Sequence, residues 1–168
     1  MSRGVTALAS ATLLVVVSVA GLVGRAEQAG GTAFEGTWSA TGRRQTLPTE
    51  DGGTAATVQL SGPVTLSVGE GLSRGFHGEL IGFDDGRSIR AGRWVWTDTR
   101  GDRLFGSLEG DGLRTGRGFT GTITGGTGRY AGIGGRFAFT WQYIVDADGG
   151  EIQGRTSDLK GQYQRGQQ

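Results

Sequence analysis

Gly121-Thr122-Ile123-Thr124-Gly125-Gly126-Thr127-Gly128-Arg129-Tyr130-Ala131-Gly132 closes one strand-like run and leads, through a glycine turn, to another at residues 137–145. A phosphate-binding glycine loop ends in Lys-Ser/Thr and hands the chain to a helix. Neither feature is present here. The stretch therefore reads as the corner of a glycine-rich antiparallel barrel. Just before it, Gly116-Arg117-Gly118-Phe119-Thr120-Gly121 spells a dinucleotide fingerprint by letters. It lies inside a strand pattern with no following helix, and the fingerprint needs that helix.

Outward from this corner the same period-two alternation recurs. Phe34, Gly36, Trp38 and Ala40 alternate with Glu35, Thr37 and Ser39. Ala56, Val58 and Leu60, then Val64, Leu66 and Val68, alternate across Gly62-Pro63. Pro63 is read as a bulge or an edge, because proline cannot donate to a central ladder. Residues 76–83 alternate in both phases. Residues 89–98 put Trp94, Trp96 and Asp98 on one face and Arg93, Val95 and Thr97 on the other. Runs at 103–109, 117–124, 137–145 and 151–163 complete about eight strands. Asp-Gly clusters fall between them, as hairpin turns with positive φ require. Residues 42–55 are read as a mobile loop. Glycine inside strands weakens a flat sheet but permits the tight coiling of a small closed barrel. The expected fold is all-β, an eight-stranded antiparallel closed barrel.

Composition narrows the function classes. Glycine accounts for 35 of 168 residues, but four tryptophans and seven phenylalanines supply a core that disordered chains lack. There is no cysteine, so thiolate zinc sites are excluded, and the one histidine, His77, makes no multi-histidine site. Asparagine is absent, which removes N-glycosylation acceptors.

Residues 1–26 have the form of a secretory signal peptide. Arg3 precedes an uncharged run over 5–23, and small residues precede Glu27. The rival reading is an uncleaved membrane anchor, since ~20 apolar residues span a bilayer. With Arg3 and Arg25 set aside, 15 basic residues face 16 acidic ones, and no nucleic-acid footprint is left. Residues 27–33 read as a linker and 34–165 as one barrel domain. The expected location is periplasmic or secreted, without membrane contact after cleavage.

The stretch from Phe119 to Gly135, with Gly125-Gly126-Thr127-Gly128-Arg129-Tyr130 at its centre, resembles the corresponding stretch of allene oxide cyclase and dirigent barrels, including exported bacterial members of that superfamily. The resemblance is sharp over 117–141 and rests on strand pattern alone over 34–163. It implies an eight-stranded antiparallel barrel, often trimeric, around a mostly apolar cavity, with no cofactor. Gly36-Thr37-Trp38 is similar to the Gly-x-Trp opening of lipocalin and avidin-like barrels. The signature itself reads as structural. Gly125, Gly126 and Gly128 allow a tight turn, Thr127 hydrogen-bonds the turn's backbone, and Tyr130 packs on the barrel end.

Candidate chemistry is sparse. His77 is a general-base candidate with Glu79 on the same strand face to orient it; the bland alternative is an ordinary strand histidine. Trp94 and Trp96 form an aromatic wall if they face the lumen, with Asp98 at its rim and Arg103 across the turn. The alternative makes them core plugs or a subunit interface. Asp84-Asp85, Glu109/Asp111 and Asp146/Asp148 sit in turns and match no calcium loop, so no metal is expected. The expected ligand lining is Trp94, Trp96, Asp98, Glu79 and Arg103, with His77, Glu79 and Asp98 the catalytic candidates. The expected function is binding of a small apolar or amphipathic molecule in the lumen, its cyclisation or isomerisation steered by shape without a cofactor. The alternative is a non-enzymatic envelope module for structure or interaction.

Overall fold

A computed structural model describes residues 31–112 and 115–166, so the readings of 1–26 and of most of the linker lie outside the described residues. Eight strands follow one another around a closed barrel, each antiparallel to its neighbours. They are β1 (Thr32–Pro48), β2 (Thr54–Gly69), β3 (Gly75–Asp84), β4 (Ile89–Asp98), β5 (Arg103–Gly110), β6 (Arg117–Gly126), β7 (Ile133–Asp146) and β8 (Glu151–Arg165). β8 returns to pair with β1, so no edge is left to template aggregation. One end, here the mouth, carries the β1–β2, β3–β4, β5–β6 and β7–β8 turns. The opposite, closed end carries the other three turns, the last of which contains the 3-10 turn Gly128–Tyr130.

The strand glycines make room for aromatic rings. Trp94 pairs across the ladder with Gly106, and Phe137 with Gly121 on one side and Gly161 on the other. A Cβ on Gly106 would lie 2.4 Å from the Trp94 ring, and one on Gly121 would lie 2.2 Å from Phe137. Large and small side chains thus alternate across the lumen, as the interior of a small barrel demands. All four tryptophans are buried, at 4% exposure or less. Ring centroids stand 5.0 Å apart for Trp94–Trp96, 5.2 Å for Trp96–Phe137 and 5.6 Å for Trp38–Trp141.

The structure corrects three local expectations. Residues 42–48 and 54–55 are strand, and only 49–53 turn. The inward side chains there, Arg44 and Thr46, are polar because they face the mouth, so the apolar alternation stops while the ladder continues through Arg44↔Val58 and Gln45↔Thr57. Pro63 marks neither edge nor bulge. It stands opposite His77, where β1–β2 pairing is interrupted between Trp38↔Val64 and Thr41↔Ser61, so its missing N–H breaks no ladder bond to β1; the β1–β2 register shift lies at Glu35/Gly36. Thr32 and Ala33, expected in the linker, already pair with Tyr163 and Gln162.

Candidate functional site

The lumen is filled. The void bounded by Trp38, Leu80, Trp94, Trp96, Phe137 and Phe139 has a volume of about 10 Å3, room for roughly one water. Trp94 and Trp96 face inward as an aromatic wall, but their rings pack on Phe137 and on each other.

Asp98 also points inward, at the closed end, and its carboxylate is fully engaged by the chain. Oδ1 accepts the amides of Arg100 at 2.7 Å and Asp102 at 3.1 Å. Oδ2 accepts Arg129 Nε at 2.9 Å, a second, shorter contact from Arg129 Nη2, and the Tyr130 hydroxyl at 2.9 Å. Burial alone would raise the Asp98 pKa, but the bonds from Arg129, Tyr130 and the Arg100 amide hold it below its ordinary value. Tyr130 is pushed up to about 12, first by burial and then by its bond to Asp98. Asp98 therefore ties the β4–β5 turn to the 3-10 turn.

The glycine signature completes this closure. Thr127 Oγ1 accepts the Arg103 amide at 2.9 Å, and the Thr127 amide donates to Arg103 O at 2.8 Å. Tyr130 is fully buried, with its ring centroid 5.8 Å from that of Phe76. Gly128 takes φ +51° against the Asp102 carboxylate, and a Cβ on Gly126 would meet Tyr130 at 2.5 Å. Gly125 differs: its backbone is not left-handed, and a Cβ there would meet nothing within 4 Å.

Glu79, His77 and Arg103 are exposed on the outer wall, which corrects their expected place beside the lumen. In β3 the inward phase is Phe76, Gly78, Leu80 and Gly82, and the outward phase, His77, Glu79, Ile81 and Phe83, is apolar enough to have read as core. Arg103 alternates with inward Leu104 in the same way.

The mouth contains the residues that the sequence reading missed. A cavity of about 450 Å3 opens there, lined by Arg44, Thr46, Asp84, Thr115, Tyr143 and Asp146 among others. Arg44 Nη2 pairs with Asp146 Oδ1 at 2.6 Å, joining β1 to β7. Asp84 is 8% exposed and accepts the Gly86 amide at 2.8 Å. Tyr143 follows Phe137, Phe139 and Trp141 on the inward face of β7, and its ring stands 6.0 Å from that of Trp141, edge-on. Its hydroxyl and Arg44 Nε are both buried without a hydrogen bond of ordinary geometry. Burial raises the Tyr143 pKa, against the opposing pull of the nearby Arg44 charge. Such groups are rare in folded proteins, and each costs about 1–3 kcal/mol. Tyr143 was legible as an inward continuation of the aromatic phase of β7; Arg44 was hidden by reading residues 42–55 as a loop.

A wider depression of about 790 Å3 runs over the small residues Gly118, Thr120 and Ala138. It is an open stretch of outer wall. No protein-family model, curated protein or solved structure matches the chain.

Proposed function

We propose that this chain is an exported barrel that binds a small amphipathic molecule at its mouth, above a filled lumen. One observation carries the reading: the mouth offers about 450 Å3, whereas the lumen offers about 10 Å3. The larger volume is within the range of small-molecule sites, ~300–1,000 Å3, in which a few polar groups orient a ligand over apolar surface. Arg44, Tyr143 and Asp146 are those groups, and the Tyr143 ring and Ala56 supply the apolar side. The signal-like residues 1–26 support export, and the likeness of 117–141 to allene oxide cyclase and dirigent barrels supports a cofactor-free role. Steering by shape is the chemistry such a site offers, through orientation and exclusion of water. His77 and Glu79, both outward, take no part in it.

The test is native mass spectrometry of the protein purified from its own host, with extraction of anything bound. A stoichiometric small molecule that is lost in Arg44→Ala and Tyr143→Ala supports the mouth. An empty barrel copurifying with a protein overturns it in favour of the second reading, an envelope interaction module. That second reading is favoured by two exposed apolar side chains on the outer wall, Ile81 and Phe83.

A further inference from the structure

β3 carries apolar residues on both faces. Its inward phase fills the lumen, yet Ile81 and Phe83, successive outward positions, are 64% and 48% exposed. A sheet with one solvated face ordinarily alternates apolar and polar residues, and a contiguous apolar patch marks a contact surface. The apolar surface continues onto the neighbouring strands. Val95 on β4 pairs directly with Phe105 on β5, and both are half-buried. Phe83, Ile81, Val95 and Phe105 thus form an oblique stripe across three strands.

The charges beside the stripe indicate what covers it. Glu79 pairs with Val95 and Ile81 pairs with Arg93. Glu79 and Arg93 therefore lie on opposite sides of the Ile81–Val95 diagonal. Among the described residues neither is in an ion pair, and Arg93 gives one Nη1 bond to Gly92 O at 2.9 Å. A twofold axis along that diagonal lays each Ile81 on its own copy. It also brings Glu79 of one chain against Arg93 of the partner subunit, and the reverse. An isologous contact requires this self-complementarity, with every pairing made twice.

We propose that the outer face of β3 and β4 is a self-association surface that takes a second copy of this chain about this twofold axis. The apolar stripe supplies the driving force, and the Glu79–Arg93 pairings set the orientation. This surface is on the outer wall and is independent of the mouth.

Sedimentation velocity on the full chain over a micromolar concentration series tests it. The wild type is expected to show a monomer–dimer equilibrium. Glu79→Arg and Arg93→Glu should each weaken it about tenfold or more, since each sets like charges together twice. The double variant should restore it, and Ile81→Asp should abolish it. Circular dichroism and tryptophan fluorescence should be unchanged in all four, because the substituted side chains point away from the core. A wild type that stays monomeric throughout overturns the proposal. So does a dimer or trimer indifferent to these substitutions, and so does a double charge reversal that fails to restore association.

Discussion

The Tyr130 hydroxyl donates to Asp98 Oδ2 at 2.9 Å, across the closed end of the barrel, and Arg129 Nε meets the same oxygen at 2.9 Å. One carboxylate at the end of β4 thereby holds the 3-10 turn that plugs the barrel. The Asp98 side chain is fully buried, while Arg129 keeps about a third of its side chain exposed. Removing the acid takes away this bond and leaves the Tyr130 hydroxyl the longer contact from the Ser73 amide, at 3.3 Å.

Asp98→Ala should therefore lower unfolding free energy by about 3 kcal/mol, the low end for breaking a buried pair because Arg129 reaches solvent. Tyr130→Phe should cost about 1 kcal/mol. Urea unfolding of both and of the double variant checks this. The double variant should lose less than the sum, because the two groups share one bond.

The same pair sets two pH limits. The Asp98 pKa is lowered in the fold, so its contribution is complete above the ordinary carboxylate value, ~3.9, and is lost as pH falls through the folded value. Tyr130 is raised to about 12, so its contribution is complete below the ordinary tyrosine value, ~10, and is lost as pH climbs through 12. Melting temperature against pH should fall on both sides. Asp98→Asn should flatten the acid arm, and Tyr130→Phe the alkaline arm.

Gly121 exists to admit the Phe137 ring, since a Cβ would stand 2.2 Å from it. Gly121→Ala should cost about 1–3 kcal/mol by overpacking. Phe137→Ala should cost about 3–5 kcal/mol and open an apolar hole, detectable as a rise in melting temperature with added benzene. Gly121→Ala placed on top of Phe137→Ala should cost little or nothing further.

Tyr143→Phe removes a buried hydroxyl that, among the described residues, makes no hydrogen bond of ordinary geometry. Stability should hold or rise by up to about 1 kcal/mol, and, under the proposed function, the small molecule extracted with the wild type should be lost. Arg44→Met breaks the partly exposed pair with Asp146 and should cost no more than about 1 kcal/mol. Thermal melts paired with ligand extraction separate the two effects.

The strand cores and the Asp-Gly turns were readable because side chains alternate with a period of two whatever the chain meets later. Closure was readable from glycines inside strands, which a flat sheet would reject. Tyr130 and Thr127 were readable as turn structure because their partners, Arg103 and the barrel end, are implied by a tight turn between neighbouring strands. Where both phases of a strand carry apolar residues, as in β3, alternation did not choose the inward face, and Glu79 and His77 went to the wrong side. Where a strand left the apolar core, as β1 does at Arg44, the pattern ended before the ladder did.

The amino-acid sequence by itself determined an eight-stranded closed barrel, because period-two patterning, turn chemistry and glycine spacing are local properties. Only the tertiary structure decided what the barrel contains. Whether Trp94 and Trp96 line a cavity or fill one depends on which rings cross the axis from opposite walls. Whether Asp98 is free depends on Arg129 and Tyr130 arriving about thirty residues later in the chain. Arg44 and Asp146 are separated by 102 residues and meet only because β8 closes onto β1 and carries β7 with it.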